Sequence, residues 1–253
     1  MQRPLEPAMT EAAPAREMPL PRTVPALLAF VAGYVDLYTF LALFGLFVAQ
    51  VTGSFVTAGA ELVTHDTGIG GKLIAIAAFL IAAALTAAAI GLMRAAHRTP
   101  LPWMLALETA LLAIFTALIL LGPPIRSAAD WHGIVAGAFA AMAMGTQSVI
   151  VRQLMRGIPQ TNVMTGNMTQ ISIDTTELII SWRRYARDRG NETAKRELAA
   201  ARGRLATVLS IAIGFVLGSV AGAVSYAHSG LAGAPLAVII VGALTVWALL
   251  RES

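Results

Sequence analysis

The chain contains no cysteine. That excludes disulfides and thiolate metal sites and leaves the compartment open. It is also poor in charge: 13% of its 253 residues are Asp, Glu, Lys or Arg, against about 25% in soluble domains. Its four histidines, His65, His97, His132 and His228, are far apart and lack ligand spacing, so no metal is expected. A phosphate-binding glycine loop, a His-Glu-x-x-His pair and a Gly-x-Ser-x-Gly elbow are all missing. No catalytic residue, cofactor or enzymatic activity is therefore assigned. What is abundant is apolar surface. Hydrophobic residues make up 57% of the chain and the mean hydropathy is +0.72. One soluble core cannot hide that much, so the sequence reads as an integral membrane protein. A net charge of +4 and a pI near 10 would suggest nucleic acid in a soluble protein. Here the basic residues sit between apolar runs, and the bilayer is the expected partner instead.

Residues 1–23 hold five prolines and mixed charge, which reads as a disordered cytoplasmic tail. They do not form a signal peptide, because the first apolar run begins only at Val24. A spanning helix needs about 20 apolar residues. Six segments meet or approach that length: Val24 to about Phe47, Leu73–Met93, Leu101–Leu121, Trp131–Val151, Leu205–Tyr226 and roughly Ala234–Leu250, the shortest. The polar stretch Arg183–Arg204 reads as one or two surface helices, a basic cytoplasmic insertion. With both termini inside, the tail supplies three Lys or Arg, Arg94 and Arg98 two, the 152–204 connection ten and Arg251 one, leaving only Lys72 and Arg126 outside. Short loops obey this bias, so the expected topology is N-in, C-in.

A short polar break occurs twice, as Thr52-Gly53-Ser54 and as Thr165-Gly166-Asn167. Each follows an apolar run with a glycine and a carboxylate or amide inside it, Gly33 with Asp36 and Gly145 with Gln147. Each is followed seven positions after its Ser or Asn by an acid, Glu61 or Asp174. Gly relaxes the backbone, and Ser or Asn caps the N–H groups of a new helix, so helices are expected to start at Ser54 and Asn167. Three spans fall in 24–125 and three in 126–253, and an odd number inverts the second half. The expected fold is thus an all-α polytopic membrane protein, six helices in two inverted three-helix repeats, each with an interrupted or half helix at its break.

The pattern Gly33-Tyr34-Val35-Asp36, Phe47, Thr52-Gly53-Ser54, Met144-Gly145-Thr146-Gln147, Arg152 and Thr165-Gly166-Asn167 resembles the YoaK family of bacterial membrane proteins over about residues 24–250. The resemblance implies a six-helix protein of the bacterial inner (plasma) membrane. It implies no activity, since that family is defined as a domain of unknown function. The family's first break commonly reads Thr-Gly-Asn; Ser54 keeps the cap but lacks the amide donor.

Asp36 lies about 16 Å along the first span at ~1.5 Å per residue, near the bilayer middle, where an ionisable group is a functional candidate by default. Its bland reading is a hydrogen-bonded structural carboxylate. Glu108, seven residues inside the third span, can carry a proton, or merely snorkel or pair with a base. Gln147 can bind a solute or glue helices together. Thr52, Gly53, Ser54, Thr165, Gly166 and Asn167 can line a substrate site or only cap helices. An anion or polar solute is expected to suit those helix N-termini. The glycine stripes Gly133, Gly137, Gly145 and Gly214, Gly218, Gly222 read as close-packing surfaces. The leading function is a small-solute transporter or channel with its site between the repeats. The alternative is a non-transporting membrane scaffold or sensor that binds lipid or a partner through its basic connection. A homo-oligomer is compatible with either. The two differ in whether Asp36 and Gln147 face a hydrated cavity or a dry interface.

Overall fold

The computed structural model describes residues 21–65 and 67–252, so most of the expected tail lies outside the described residues. All regular elements among the described residues are helical. They are α1 (Thr23–Ala42), α2 (Val51–Thr64), α3 (Ile69–Ala95), α4 (Leu101–Leu121), α5 (Trp131–Leu154), α6 (Met164–Arg187), α7 (Glu192–Ser229) and α8 (Pro235–Glu252), with a 3-10 turn at Gly230–Gly233 before α8. By length and composition α1, α3, α4, α5 and α7 can each cross a membrane, and α8 is a shorter apolar helix.

Local chemistry sets the ends. Proline stands in the first turn of α4, where the missing N–H costs nothing, and Asn191 caps α7 by accepting from the N–H groups of Thr193 and Ala194. Before α5, Asp130 accepts from the N–H groups of Arg126 and Ser127 and from the Ser127 hydroxyl. These bonds hold its carboxyl below the usual carboxylate range. The first apolar run does not stay helical to Phe47. It stops at Ala42, because Phe44 and Gly45 adopt φ of 55° and 80° and turn the chain back on itself. Residues 43–50 then form a loop that leads into α2, and residues 155–163 do the same before α6.

Two further expectations are corrected. Both helices start ahead of the Thr-Gly step, at Val51 and Met164, and run unbroken through Ser54 and Asn167. The backbone N–H of Ser54 donates to Gln50 and that of Asn167 to Val163, so each triplet lies in the first turn of a helix, and the break is the loop before it. The basic stretch 183–204 is no separate surface helix. It is the end of α6 plus the start of α7, and α7 continues without interruption into its apolar segment.

α1 packs chiefly on α7, α3 on α5, α2 on α3, α6 on α7, and α4 on both α5 and α8. The α1–α7 contact is backbone against backbone. A Cβ at Gly218 would meet the Phe30 carbonyl oxygen at 2.0 Å, one at Gly214 that of Ala26 at 2.5 Å, and one at Gly33 that of Phe215 at 2.2 Å. Between α3 and α5, a Cβ at Gly145 would meet the Phe79 carbonyl oxygen at 2.4 Å. Without a hydrophobic drive between helices in lipid, such close approach supplies the dispersion contacts that hold them together. The hydroxyls of Tyr34 and Tyr38 donate to the carbonyls of Gly233 (2.7 Å) and Leu231 (2.8 Å), pinning the 3-10 turn to α1. Backbone acceptors freed where helical pairing stops are thereby satisfied from the neighbouring helix.

Candidate functional site: a buried polar core where two loops meet

Asp36 leaves α1 six residues before the helix ends and is 2% exposed. Its Oδ1 accepts from the backbone N–H groups of Val48 (2.8 Å), Ala49 (2.7 Å) and Gln50 (3.3 Å). The N–H groups ahead of α2 are thus met by a carboxylate from the preceding helix, which explains why the loop can fold back inside an apolar environment. An anion arriving at this end of α2 would meet a carboxyl that already accepts the N–H groups of residues 48–50.

On α5, Gln147 is 1% exposed and donates through Nε2 to the Leu28 carbonyl (2.9 Å) and the Thr161 hydroxyl (2.8 Å). Asn162, in the second loop, donates through Nδ2 to the Ala49 carbonyl (3.1 Å) and the Ser148 hydroxyl (2.8 Å). Ala49 therefore joins the two loops: its N–H goes to Asp36 and its carbonyl receives Asn162. Each amide nitrogen faces a backbone carbonyl, which can only accept, and this fixes which end of each amide is oxygen. Three buried oxygens of this network, Asp36 Oδ2, Gln147 Oε1 and Asn162 Oδ1, have no partner in hydrogen-bond geometry, although the Gln50 side chain stands next to the Asp36 carboxyl. The network holds unused acceptors and is short of donors.

The Thr-Gly triplets take a different part. Ser54 and Asn167 are buried but do not cap. Both donate backwards by seven residues, Ser54 Oγ to the Phe47 carbonyl (2.6 Å) and Asn167 Nδ2 to the Gln160 carbonyl (2.8 Å). They staple each helix to its own loop. Gly53 lies against the Phe47 ring, where a Cβ would come within 2.9 Å. Thr52, Thr165 and Gly166 are exposed and are not brought to Asp36 or Gln147. Glu108 is fully buried in α4 with neither oxygen bonded, so it neither snorkels nor pairs with a base, and no hydrogen bond joins it to the Asp36 network. The two acids that follow the triplets tie each helix to the next one. Glu61 pairs with Lys72 at the start of α3, and Asp174 with Arg204 of α7 at 3.5 Å.

Thr161, Asn162, Ser148 and Lys72 are not among the site residues expected from the sequence. A signal did exist. Gln147 and Thr161, Ser148 and Asn162, and Asp36 and Gln50 are all bonded across a separation of 14 residues. Two cavities among the described residues lie elsewhere: a narrow cleft beside Leu46, Lys72 and Gly133, and a groove of about 510 Å³ where α6 and α7 meet the start of α1.

Comparison with known proteins yields no match among curated proteins and none among solved structures. It does yield one family, and the likeness to the YoaK proteins points to the same one. Residues 24–248, from the second residue of α1 into α8, match the family described as proteins of unknown function, DUF1275, and the chain belongs to it.

Proposed function

We propose that this is a six-span protein of the bacterial inner membrane, N-in and C-in, that moves a small solute, as carrier or channel, through a site between two inverted repeats, 24–125 and 126–253. Element order and packing support the repeat. Exchanging α1 with α5, α2 with α6, α3 with α7 and α4 with α8 turns the α1–α7 contact into the α5–α3 contact and the α2–α3 contact into the α6–α7 contact. Some positions even meet their own counterparts. Asn162 bonds Ala49 across 113 residues, the same shift that carries Ser54 to Asn167. Thr109 bonds Thr245 across 136, the shift that carries Phe79 to Phe215. The difference between the two shifts corresponds to the longer α6 and α7 of the second half.

The observation that carries the transport reading is the set of unpaired oxygens on Asp36, Gln147 and Asn162 at the meeting of the two loops. A buried polar atom without a partner costs about 1–3 kcal/mol. Keeping three of them in one network is unfavourable for a purely structural core. A solute that brings donors or positive charge would relieve this shortage of partners, so a cation or a donor-rich neutral molecule fits this site better than an anion. The scaffold reading has one observation in its favour: Asp36 and Gln147 are sealed, at 2% and 1% exposure. A carrier in its occluded state seals its site as well, but it must also open.

The absence of cysteine makes the test clean. Gln147→Cys, as the sole thiol, should react with an impermeant thiol reagent from at least one side of right-side-out and inside-out vesicles. Lack of reaction from both sides, with Ser229→Cys reacting as control, ends the transport reading and leaves the scaffold.

A further inference from the structure

We propose that the groove between α6, α7 and the start of α1 binds the phosphate of an anionic lipid headgroup. Arg22, Lys195 and Arg202 line it, together with Tyr185, Leu198 and Ala206, and no carboxylate is among its lining residues. Of the other basic side chains of this region, two are committed to acids. Arg184 pairs with Glu197 at 3.2 Å, and Arg204 with Asp174 and Glu177. Among the described residues Arg22 and Arg202 have no ion pair, and Lys195 has only the exposed neighbour Glu192 at 3.2 Å. Two unpaired guanidiniums facing one space make a site for a phosphate oxyanion, whose oxygens accept forked N–H pairs.

The position in the fold selects a lipid. Arg22 stands immediately before the apolar run of α1, and Arg202 immediately before that of α7, which begins at Leu205. On the proposed topology the groove opens at headgroup level on the cytoplasmic side, where anionic lipids attract basic side chains. Leu198, Ala199, Ala206 and the Tyr185 ring give it an apolar floor for the first methylenes below a phosphate. Arg22 reaches across to α7 at Gly203, where its Nη2 would be in ordinary contact, 3.5 Å, with a Cβ.

The test is native mass spectrometry of the purified full chain with phosphatidylglycerol or phosphatidylcholine added in the same detergent. Wild type should retain one phosphatidylglycerol in preference to phosphatidylcholine. Arg22→Gln/Arg202→Gln should bind it roughly tenfold to thirtyfold more weakly, given about 1 kcal/mol per basic residue at a membrane surface. Arg183→Gln/Arg187→Gln removes the same charge outside the groove and should bind like wild type. An unchanged melting temperature in both variants confirms that the fold is intact. Equal weakening in the two double variants would mean diffuse charge and overturn the proposal. Equal retention of the two lipids would do the same. Loss of the lipid adduct on adding millimolar inorganic phosphate would assign the groove to a free anion and overturn the lipid assignment.

Discussion

The residue on which most depends is Asp36. One of its oxygens supports three backbone N–H groups of the first loop, and the other is unpaired. Asp36→Ala strands those donors in an apolar interior, so stability should fall on the order of 3 kcal/mol or more, at about 1–3 kcal/mol for each stranded group. Asp36→Asn keeps an acceptor for the loop but removes the charge. It should fold with a loss of about 1 kcal/mol and be inactive in transport of a cationic solute. Unfolding midpoints in detergent separate the two variants. If Asn costs as much as Ala, the carboxylate's charge, and not its geometry as an acceptor, holds the loop. Asp36 and Gln147 stood out in the sequence because a carboxylate and an amide inside apolar runs are costly. Asn162 did not, because its importance comes from reaching Ala49, a contact between distant parts of the chain that no local pattern encodes.

Among the elements, α2 and α6 are the least buried, and each is held by few anchors. Only Ser54 and Ala58 of α2 are buried, and only Asn167 and Asp174 of α6. For α2 the far anchor is the pair Glu61–Lys72, in which the Lys72 side chain is 3% exposed. Removing one partner of such a pair leaves an uncompensated charge. Lys72→Met should therefore cost about 3 kcal/mol, while Lys72→Met with Glu61→Gln should recover most of it. A double-mutant cycle on detergent unfolding measures the coupling, and additive losses would mean that the pair does not hold α2 to α3. The helices were legible because their apolar runs are long and proline marks several ends. Their exact starts were not. Ser and Asn after Thr-Gly look like caps from the sequence, yet the real N–H partner of the first loop is a carboxylate 12 to 14 residues upstream. The spare hydroxyl and amide were then free to bind the loop behind them. In the same way, the basic stretch 183–204 looked separate because composition changes there, whereas the helical backbone of α7 does not stop at the change.

At the scale of the whole molecule, sixteen of the eighteen Lys and Arg residues fall on one side of the proposed topology. Ser229→Cys should therefore label from outside the cell and Gly190→Cys should not, in whole cells treated with an impermeant reagent. The reverse pattern would overturn the N-in, C-in orientation together with the cytoplasmic placement of the lipid groove. Membrane character was legible from composition alone, because apolar excess needs no knowledge of contacts. On the two-repeat reading, the reciprocal packing of the halves was legible only as a faint echo of polar triplets. The residues that make it close, Gly33 against Phe215 and Gly145 against Phe79, reveal their matching only once the helices are in place.

The meeting of Thr109 with Thr245, and of Ala49 with Asn162, has a consequence for how such a molecule can change. On the two-repeat reading these pairs lie on the pseudo-two-fold axis. Two identical copies built the same way would have to place the same residue on both sides of it, and a carboxylate introduced at position 36 would appear twice, each charge facing the other's territory. Joining both halves in one polypeptide lifts that constraint. It allows an acid in one half to be answered by amides in the other, so the centre can be lopsided in charge while its frame stays balanced. Thr109 and Thr245 still match; Ala49 and Asn162 no longer do.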